Sequence, residues 1–322
     1  MIRSVVFGLS ALLRYNVLHY YFGLTFLYPG YFFPKNTLRG RLLNRLSSID
    51  LRLARWLGKK RFMTLQGCDV RLADEGNKRN EWTMCAPGRC SAYQVCLDML
   101  DGRRRDLIDH VLPLFDRVFY LNPELGHLVP NGQFLPYANV EIEKFATAFP
   151  TSEGRPRIVH APSDSTIKGT AMILAALEQL KSRYDFELIL VEQKTHEEAL
   201  ALYRSADIAI DQILAGWYGG FAVEMMAMGK PVACYIREQD MKFVPAAMQD
   251  DMPILRIDPG RLVDDLAAIL ERRAEWRSAG EKSRRYVERW HNPDHIARAM
   301  LDAYRSLEST FVLSPPVATP AN

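Results

Sequence analysis

The chain has 322 residues, about twice a typical domain of roughly 150, so two domains are the first expectation. Hydrophobic residues at 48% and charged residues at 25% match an ordinary globular protein and exclude a disordered, collagenous or disulfide-scaffold chain. The net charge of +3 is too small to mark a nucleic-acid binder, but residues 1–150 carry 20 Lys and Arg against 13 Asp and Glu, and residues 151–322 carry 21 against 25, which points to two modules with different partners.

Ser4–Leu13 is an uncharged run behind Arg3, and Val5–Leu13 within it predicts a helix. Arg14 follows it where a secretory leader would place small residues, so no leader is read. Tyr15–Pro34 has no formal charge and the length of a membrane span, yet it holds Asn16, His19, Pro29, Gly30 and nine Tyr or Phe. That composition predicts a buried strand over Val17–Phe22 and an aromatic loop, not a spanning helix. Over residues 35–61, nine Lys and Arg face one acid, Asp50. Leu42, Leu43, Leu46, Ile49, Leu53, Trp56 and Leu57 recur there at helical spacing, which predicts an amphipathic helix with its charges opposite the apolar face. Phe62–Leu65 is the next strand and runs into the turn Gln66-Gly-Cys-Asp69. Residues 72–97 are polar and irregular. Arg103–Phe115 predicts a helix with a solvated start at Arg103-Arg-Arg105, Arg117–Leu121 a strand, and Asn122-Pro-Glu-Leu125 a short helix. A linker is expected from Leu135 to Pro156.

The second half alternates regularly. Strands are predicted at Arg157–His160, Phe186–Val191, Ile208–Ile210 and Pro231–Tyr235. Helices are predicted at Thr170–Arg183, Thr195–Ser205, Gly220–Met228, Leu262–Arg272 and Glu281–Leu307. This alternation implies a parallel sheet covered on both faces. Ser314–Asn322 contains three prolines and reads as a disordered tail. The expected domains are 1–148 and 149–313, followed by that tail.

In such sheets ligands bind at the carboxyl ends of the strands, where helix N-termini aim backbone N–H groups outward. Lys168-Gly169 follows the Arg157–His160 strand, so it is either an anion-binding pair or a surface lysine before a helix. Gly216-Trp-Tyr-Gly-Gly-Phe-Ala-Val-Glu224 puts Gly219 and Gly220 at a helix start, where a backbone can approach an anion closely. Glu224 lies one turn further among apolar residues and needs a polar partner, either ribose hydroxyls or a salt bridge. Asp69, on a turn after a strand, either orients an acceptor hydroxyl or caps the loop. His160 at a strand end reads as a packed, hydrogen-bonded histidine. Cys85, Cys90 and Cys96, with Cys68 upstream, are spaced more loosely than a zinc site and read mainly as reduced thiols, a structural metal cluster being the minor alternative.

These segments resemble the group 1 (family 4) glycosyltransferases of the GT-B fold, two Rossmann-like α/β domains facing across a cleft. The likeness runs through His160-Ala-Pro-Ser, Lys168-Gly-Thr, Tyr203-Arg-Ser-Ala-Asp207, Asp211-Gln, Gly216-Trp-Tyr-Gly and Pro231-Val, and more thinly through Phe62–Arg71, Asn122-Pro-Glu-Leu and Leu135-Pro-Tyr. The resemblance implies a retaining transfer of sugar from a nucleotide-diphosphate donor to a glycan or lipid-linked acceptor in surface or exopolysaccharide synthesis. It assigns the donor diphosphate to Lys168, its distal end to Gly219 and Gly220, and the ribose to Glu224, the second glutamate of an E-x7-E pattern. Ser163, Gly169, Asp211 and Tyr218 would complete the donor site, with Gln66 and Asp69 on the acceptor side. No cofactor or metal is implied, in keeping with the absence of an Asp-x-Asp motif.

The chain departs from the pattern in four places. Gly216 replaces the first glutamate, with Asp211 or Asp207 as its substitute. Ser163 lies near the place of a partner arginine. Gln66 stands where many members carry histidine. The usual first strand and glycine-rich loop before Tyr15–Phe22 are missing, so the first domain is expected to be short. A catalytically silent nucleotide- or sugar-binding subunit and a nucleotide-sugar epimerase are the rival readings. A cytoplasmic location is expected. The basic, aromatic surface of residues 15–61 either lies against the inner face of a membrane or is a solvated amphipathic helix.

Overall fold

Both halves are built on parallel sheets, whose strands are joined by crossover segments. The computed structural model describes residues 2–33 and 37–307. Among these residues the chain divides into two compact units, one from 2–33, 37–79, 92–135 and 300–307, the other from 80–91 and 136–299. The expected tail, 314–322, lies outside the described residues.

In the first unit β1 (Val17–Tyr21), β2 (Lys60–Leu65), β3 (Arg117–Tyr120) and β4 (Gln133–Phe134) form one parallel sheet in that order. Val17 pairs with Lys60 and Phe62 with Arg117. Phe62, Met63, Leu65 and Phe119 are fully buried and make its core. Counting helices of eight residues or more, this unit holds α1 (Ile2–Arg14), α2 (Leu38–Leu46) and α3 (Ile49–Trp56).

The basic helix expected over 35–61 is therefore two helices, parted at Ser47-Ser48. The Ser47 hydroxyl donates to the Asn44 carbonyl, the local competition by which serine ends helices. Its apolar face is also not the buried one: Leu42, Leu46 and Trp56 are exposed, whereas Asp50 is buried beside Leu51 and Ala54. The aromatic loop after β1 turns inward, with Tyr28 buried and its N–H donating to the Thr25 hydroxyl. The three arginines at 103–105 each have a partner, and of them Arg105 is exposed while Arg103 and Arg104 are half-buried. Arg104 pairs with Asp101, Arg105 with Asp74, and Arg103 lies over the Tyr31 ring. The helix they begin widens to π turns over Leu107–Val111 and tightens over Leu112–Leu114, where Pro113 offers no N–H to a regular ladder.

In the second unit β5 (Arg157–His160), β6 (Glu187–Leu190), β7 (Ile208–Ile210), β8 (Val232–Cys234) and β9 (Leu255–Arg256) run parallel in the order β6-β5-β7-β8-β9. The helices are α4 (Thr170–Leu180), α5 (His196–Ser205), α6 (Gly220–Ala227), α7 (Leu262–Glu271) and α8 (Trp276–Trp290). Helix α4 packs on α7, and α6 on α8. The helix expected over 281–307 is broken: Pro293 opens α9 (Pro293–Arg305), and the Asn292 side chain accepts from the Asp294 N–H as its cap. Among the described residues, no helix is long and apolar enough to cross a membrane.

Candidate functional site

The order β6-β5-β7 decides where a ligand can sit. From β5 the chain crosses to β6 on one side and then returns to β7 on the other, so the loops leaving β5 and β7 open a crevice at the switch point. The sequence places Lys168 at the end of the first loop and Asp211 at the start of the second.

Local chemistry fixes both loops. After β5, the Asp164 side chain accepts from the N–H groups of Thr166 and Ile167 and starts a short turn, Ser165–Lys168. Gly169 ends that turn at φ +78°, and a Cβ there would stand 2.5 Å from Ile213 Cγ1. Only glycine fits. Beneath the loops His160 is fully buried, bonded at Nδ1 to the Ile210 carbonyl and at Nε2 to the Thr170 hydroxyl, each 2.8 Å. A carbonyl can only accept, so Nδ1 carries the proton. Burial lowers the His160 pKa and keeps the ring neutral. This is the packed histidine that the sequence suggests.

At the crevice the predicted residues come together. Lys168 Nζ lies 2.6 Å from Asp211 Oδ1, and the Gly219 N–H donates to Asp211 Oδ2 at 2.7 Å. The Asp211 side chain is 0% exposed and that of Lys168 11%. A Cβ on Gly219 would be 3.4 Å from the ammonium. Lysine and glycine loop thus do share one place, but a carboxylate of the chain itself sits between them. Sequence reasoning named Asp211 without foreseeing this bridge. The ammonium keeps two N–H groups beyond the one given to Asp211. The first-turn N–H groups of α6, beginning at Gly220, have no intrahelical acceptor.

Ser163 is exposed on the β5 loop, and Gly220 adjoins the Asn139 side chain. Glu224, one turn into α6, is half-buried and accepts from His196 Nε2 at 2.9 Å, so it has found a polar partner at the start of α5. The Tyr218 side chain points elsewhere. It is fully buried, and its hydroxyl lies 2.8 Å from the Tyr286 hydroxyl and 2.9 Å from His291 Nε2. Its phenol holds the loop to α8 and to the residue that follows it.

At Gly216 the backbone leaves no room for a side chain. Its φ is +76°, and a Cβ would stand 2.6 Å from the Arg237 guanidinium. Arg237 is buried and donates to Asp240 and to the Trp82 and Ala215 carbonyls. A guanidinium fills the space that a side chain at 216 would need. A groove of about 530 Å³ lined by Arg256, Asp265, Arg272 and Lys282 opens elsewhere on this unit and contains none of the site residues.

In the first unit both Asp69 oxygens accept backbone protons, from Gln66 at 2.8 Å and Gly67 at 2.7 Å, which is the capping role. Gln66 is exposed, and its backbone carbonyl accepts from the Asn122 side-chain amide. The four cysteines do not form a metal cluster. Cys68 and Cys96 belong to one unit and Cys85 and Cys90 to the other, and among the described residues no three His, Cys, Asp or Glu side chains gather to hold an ion.

No protein-family model and no curated protein matches the sequence. Solved structures do resemble it. Sucrose-phosphate synthase from Thermosynechococcus elongatus aligns over 94% of this chain and 76% of its own, with a TM-score of 0.56 and 15% identity. WaaG, a glycosyltransferase involved in lipopolysaccharide biosynthesis, aligns over 92% and 94%, with a TM-score of 0.50 and 14% identity. HepE from Anabaena, solved in complex with UDP-glucose, aligns over 93% and 82%, with a TM-score of 0.50 and 11% identity. The chain has the GT-B fold. At these identities the likeness concerns architecture, and the GT-B arrangement of two parallel-sheet units is what the sequence resemblance implied.

Proposed function

We propose that this GT-B protein is a glycosyltransferase that takes a sugar from a nucleotide-diphosphate donor, with retention at the anomeric carbon, and passes it to a glycan or lipid-linked acceptor in cell-surface polysaccharide synthesis. The observation that carries the reading is the meeting of Lys168 with the Gly219–Gly220 start of α6 at the sheet's switch point. An ammonium and a helix N-terminus together suit a diphosphate, and they stabilise the charge that grows on it as the sugar leaves. In this reading Glu224 turns from His196 toward the ribose, Ser163 and Gly169 border the donor, and Gln66 serves the acceptor. HepE, with its UDP-glucose, supports a nucleotide-sugar donor by analogy of fold. The chemistry needs no metal, because the lysine and helix dipole meet the leaving-group charge.

A thermal-shift panel of UDP-, GDP- and ADP-sugars tests the reading. One nucleotide raises the melting temperature by mass action, and Lys168→Gln weakens its binding by about 1.5–3 kcal/mol, the range of a charge-assisted contact. No shift with any nucleotide defeats the proposal.

One observation favours a second reading, a silent binding subunit. Arg237 leaves no room for a carboxylate at 216, and Asp211 already neutralises Lys168. Donor hydrolysis separates the two: a transferase slowly leaks sugar to water, whereas a silent subunit binds nucleotide without turnover.

A further inference from the structure

The first unit exposes an apolar surface that the donor site does not explain. Thirteen of the eighteen exposed large apolar side chains among the described residues lie between Val6 and Leu57. On α1 the inward side is Gly8, Ala11 and Leu12, with Gly8 against the Phe26 ring. Val6, Leu9 and Leu13 fall at helical spacing on the opposite face, and Leu13 is 77% exposed. A helix that shows leucine and valine outward while already packing its inner side is apolar on two faces, and burial within this unit accounts for one of them.

The neighbouring chemistry indicates what covers the other. Helix α1 packs on α3. Lys59 Nζ, just beyond α3, bonds Asn16 just beyond α1 at 3.1 Å, so the two C-terminal ends lie together. At that corner Tyr15 and Trp56 are exposed, Trp56 by 81%. Arg52, Arg55 and Trp56 share one outward face of α3, and Arg14 closes α1. Asp50, the one acid in residues 1–61, is buried and accepts from the Leu27 N–H. Exposed aliphatic residues, interfacial aromatics and cations without interleaved acids form the pattern of a surface that meets an anionic bilayer.

We propose that the outer face of α1, with the Tyr15–Trp56 corner and its arginines, seats the protein on a membrane carrying anionic lipid. Helix α1 spans about 20 Å at 1.5 Å per residue, less than the roughly 30 Å of a hydrocarbon core, so it lies along the interface. Leu13 and Trp56 enter the acyl boundary, and Arg14, Arg52 and Arg55 meet lipid phosphates. The proposal keeps Tyr15, Arg52, Arg55 and Trp56 of the membrane-facing surface expected at 15–61 and adds the outer face of α1, whereas Tyr20 and Tyr28 of the aromatic stretch are buried and take no part.

Vesicle co-sedimentation of the full chain tests it, using phosphatidylcholine alone and phosphatidylcholine with phosphatidylglycerol. The expected result is binding to the anionic vesicles that falls as salt is raised. Leu13→Ser/Trp56→Ser should lower the partition coefficient by about tenfold or more, while Arg52→Gln/Arg55→Gln should abolish the preference for anionic lipid. These side chains are exposed, so melting curves should match the parent's. Three outcomes overturn the proposal: no binding to either vesicle, binding unchanged in Leu13→Ser/Trp56→Ser, or a dimer in sedimentation that those substitutions dissolve, which would make this face a contact between copies. None of these readouts involves nucleotide, so failure here leaves the donor-site test standing.

Discussion

Asp211 and Lys168 form a buried pair at the centre of the site, 2.6 Å apart, and the same carboxylate accepts the Gly219 N–H. One aspartate therefore aligns the β5 loop, the β7 loop and the start of α6. It also cancels the lysine's charge within the crevice. A buried pair of this kind contributes little net stability, but removing one partner strands the other without water, at a cost of about 3–5 kcal/mol.

Lys168→Met is therefore expected to lower unfolding free energy in urea by about 3–5 kcal/mol, and Asp211→Leu to do likewise. The double substitution should recover most of the loss, since no charge is then left stranded. Simple addition of the two single effects would show that the pair is not coupled, contrary to the geometry.

Gly216→Glu puts a carboxylate where the sequence resemblance would have one, but the site does not admit it. The position has φ +76°, and its Cβ site is 2.6 Å from Arg237. The variant should lose about 2 kcal/mol or more from backbone strain and overpacking, and it should gain no donor turnover. Gly169→Ala, at φ +78° and against Ile213, should be destabilised for the same reasons. Chemical denaturation measures both.

How far this site was legible can be argued from the same residues. Strands β5, β7 and β8 are short apolar runs buried on both faces, so the strands and the glycine- and lysine-bearing turns near them follow from local pattern, and the resemblance pointed Lys168 and Gly219 to one ligand. Tertiary choices were not legible. Nothing near Tyr218 announces that its hydroxyl reaches Tyr286, 68 positions on, or that Asp211 takes the Gly219 N–H. The two-residue strands β4 and β9 are too short to show a period. Residues 35–61 misled for a physical reason: helical spacing reveals an apolar face but not which way it points, and here Leu42 and Trp56 look outward.

Tyr218→Phe removes the hydroxyl between Tyr286 and His291 while keeping the ring. Two buried polar groups then lose a partner, which should cost about 1–3 kcal/mol in a melt. The residue adjoins Gly219, so nucleotide affinity should also fall if that loop must be held in place. A stability loss with unchanged affinity would confine Tyr218 to the core.

Glu224 and His196 provide a contrast, because His196 is largely exposed. Glu224→Gln should leave stability within about 1 kcal/mol, as surface pairs do. If Glu224 grips ribose, calorimetry should show nucleotide affinity reduced by about 1.5–3 kcal/mol, the range of a hydrogen bond to a charged group. Equal affinity in both proteins would assign the carboxylate to the α5–α6 contact alone.

Acid should unfold the protein through its buried imidazoles. Burial lowers the pKa of His19 and of His291 from 6.5 to about 4. His19 lies between the Tyr304 and Thr64 hydroxyls, and His291 Nδ1 donates to the Tyr137 carbonyl. As pH falls below about 6.5 the unfolded chain takes up protons that the folded chain refuses until about pH 4, so unfolding is favoured throughout that window. The stability these rings allow is complete above about pH 6.5 and is lost progressively toward pH 4, with a slope approaching about 1.4 kcal/mol per pH unit for each ring. Urea titrations at half-unit intervals should show the decline, and His19→Gln should make it shallower. A flat profile between pH 6.5 and 4 would mean that both rings protonate freely in the folded state.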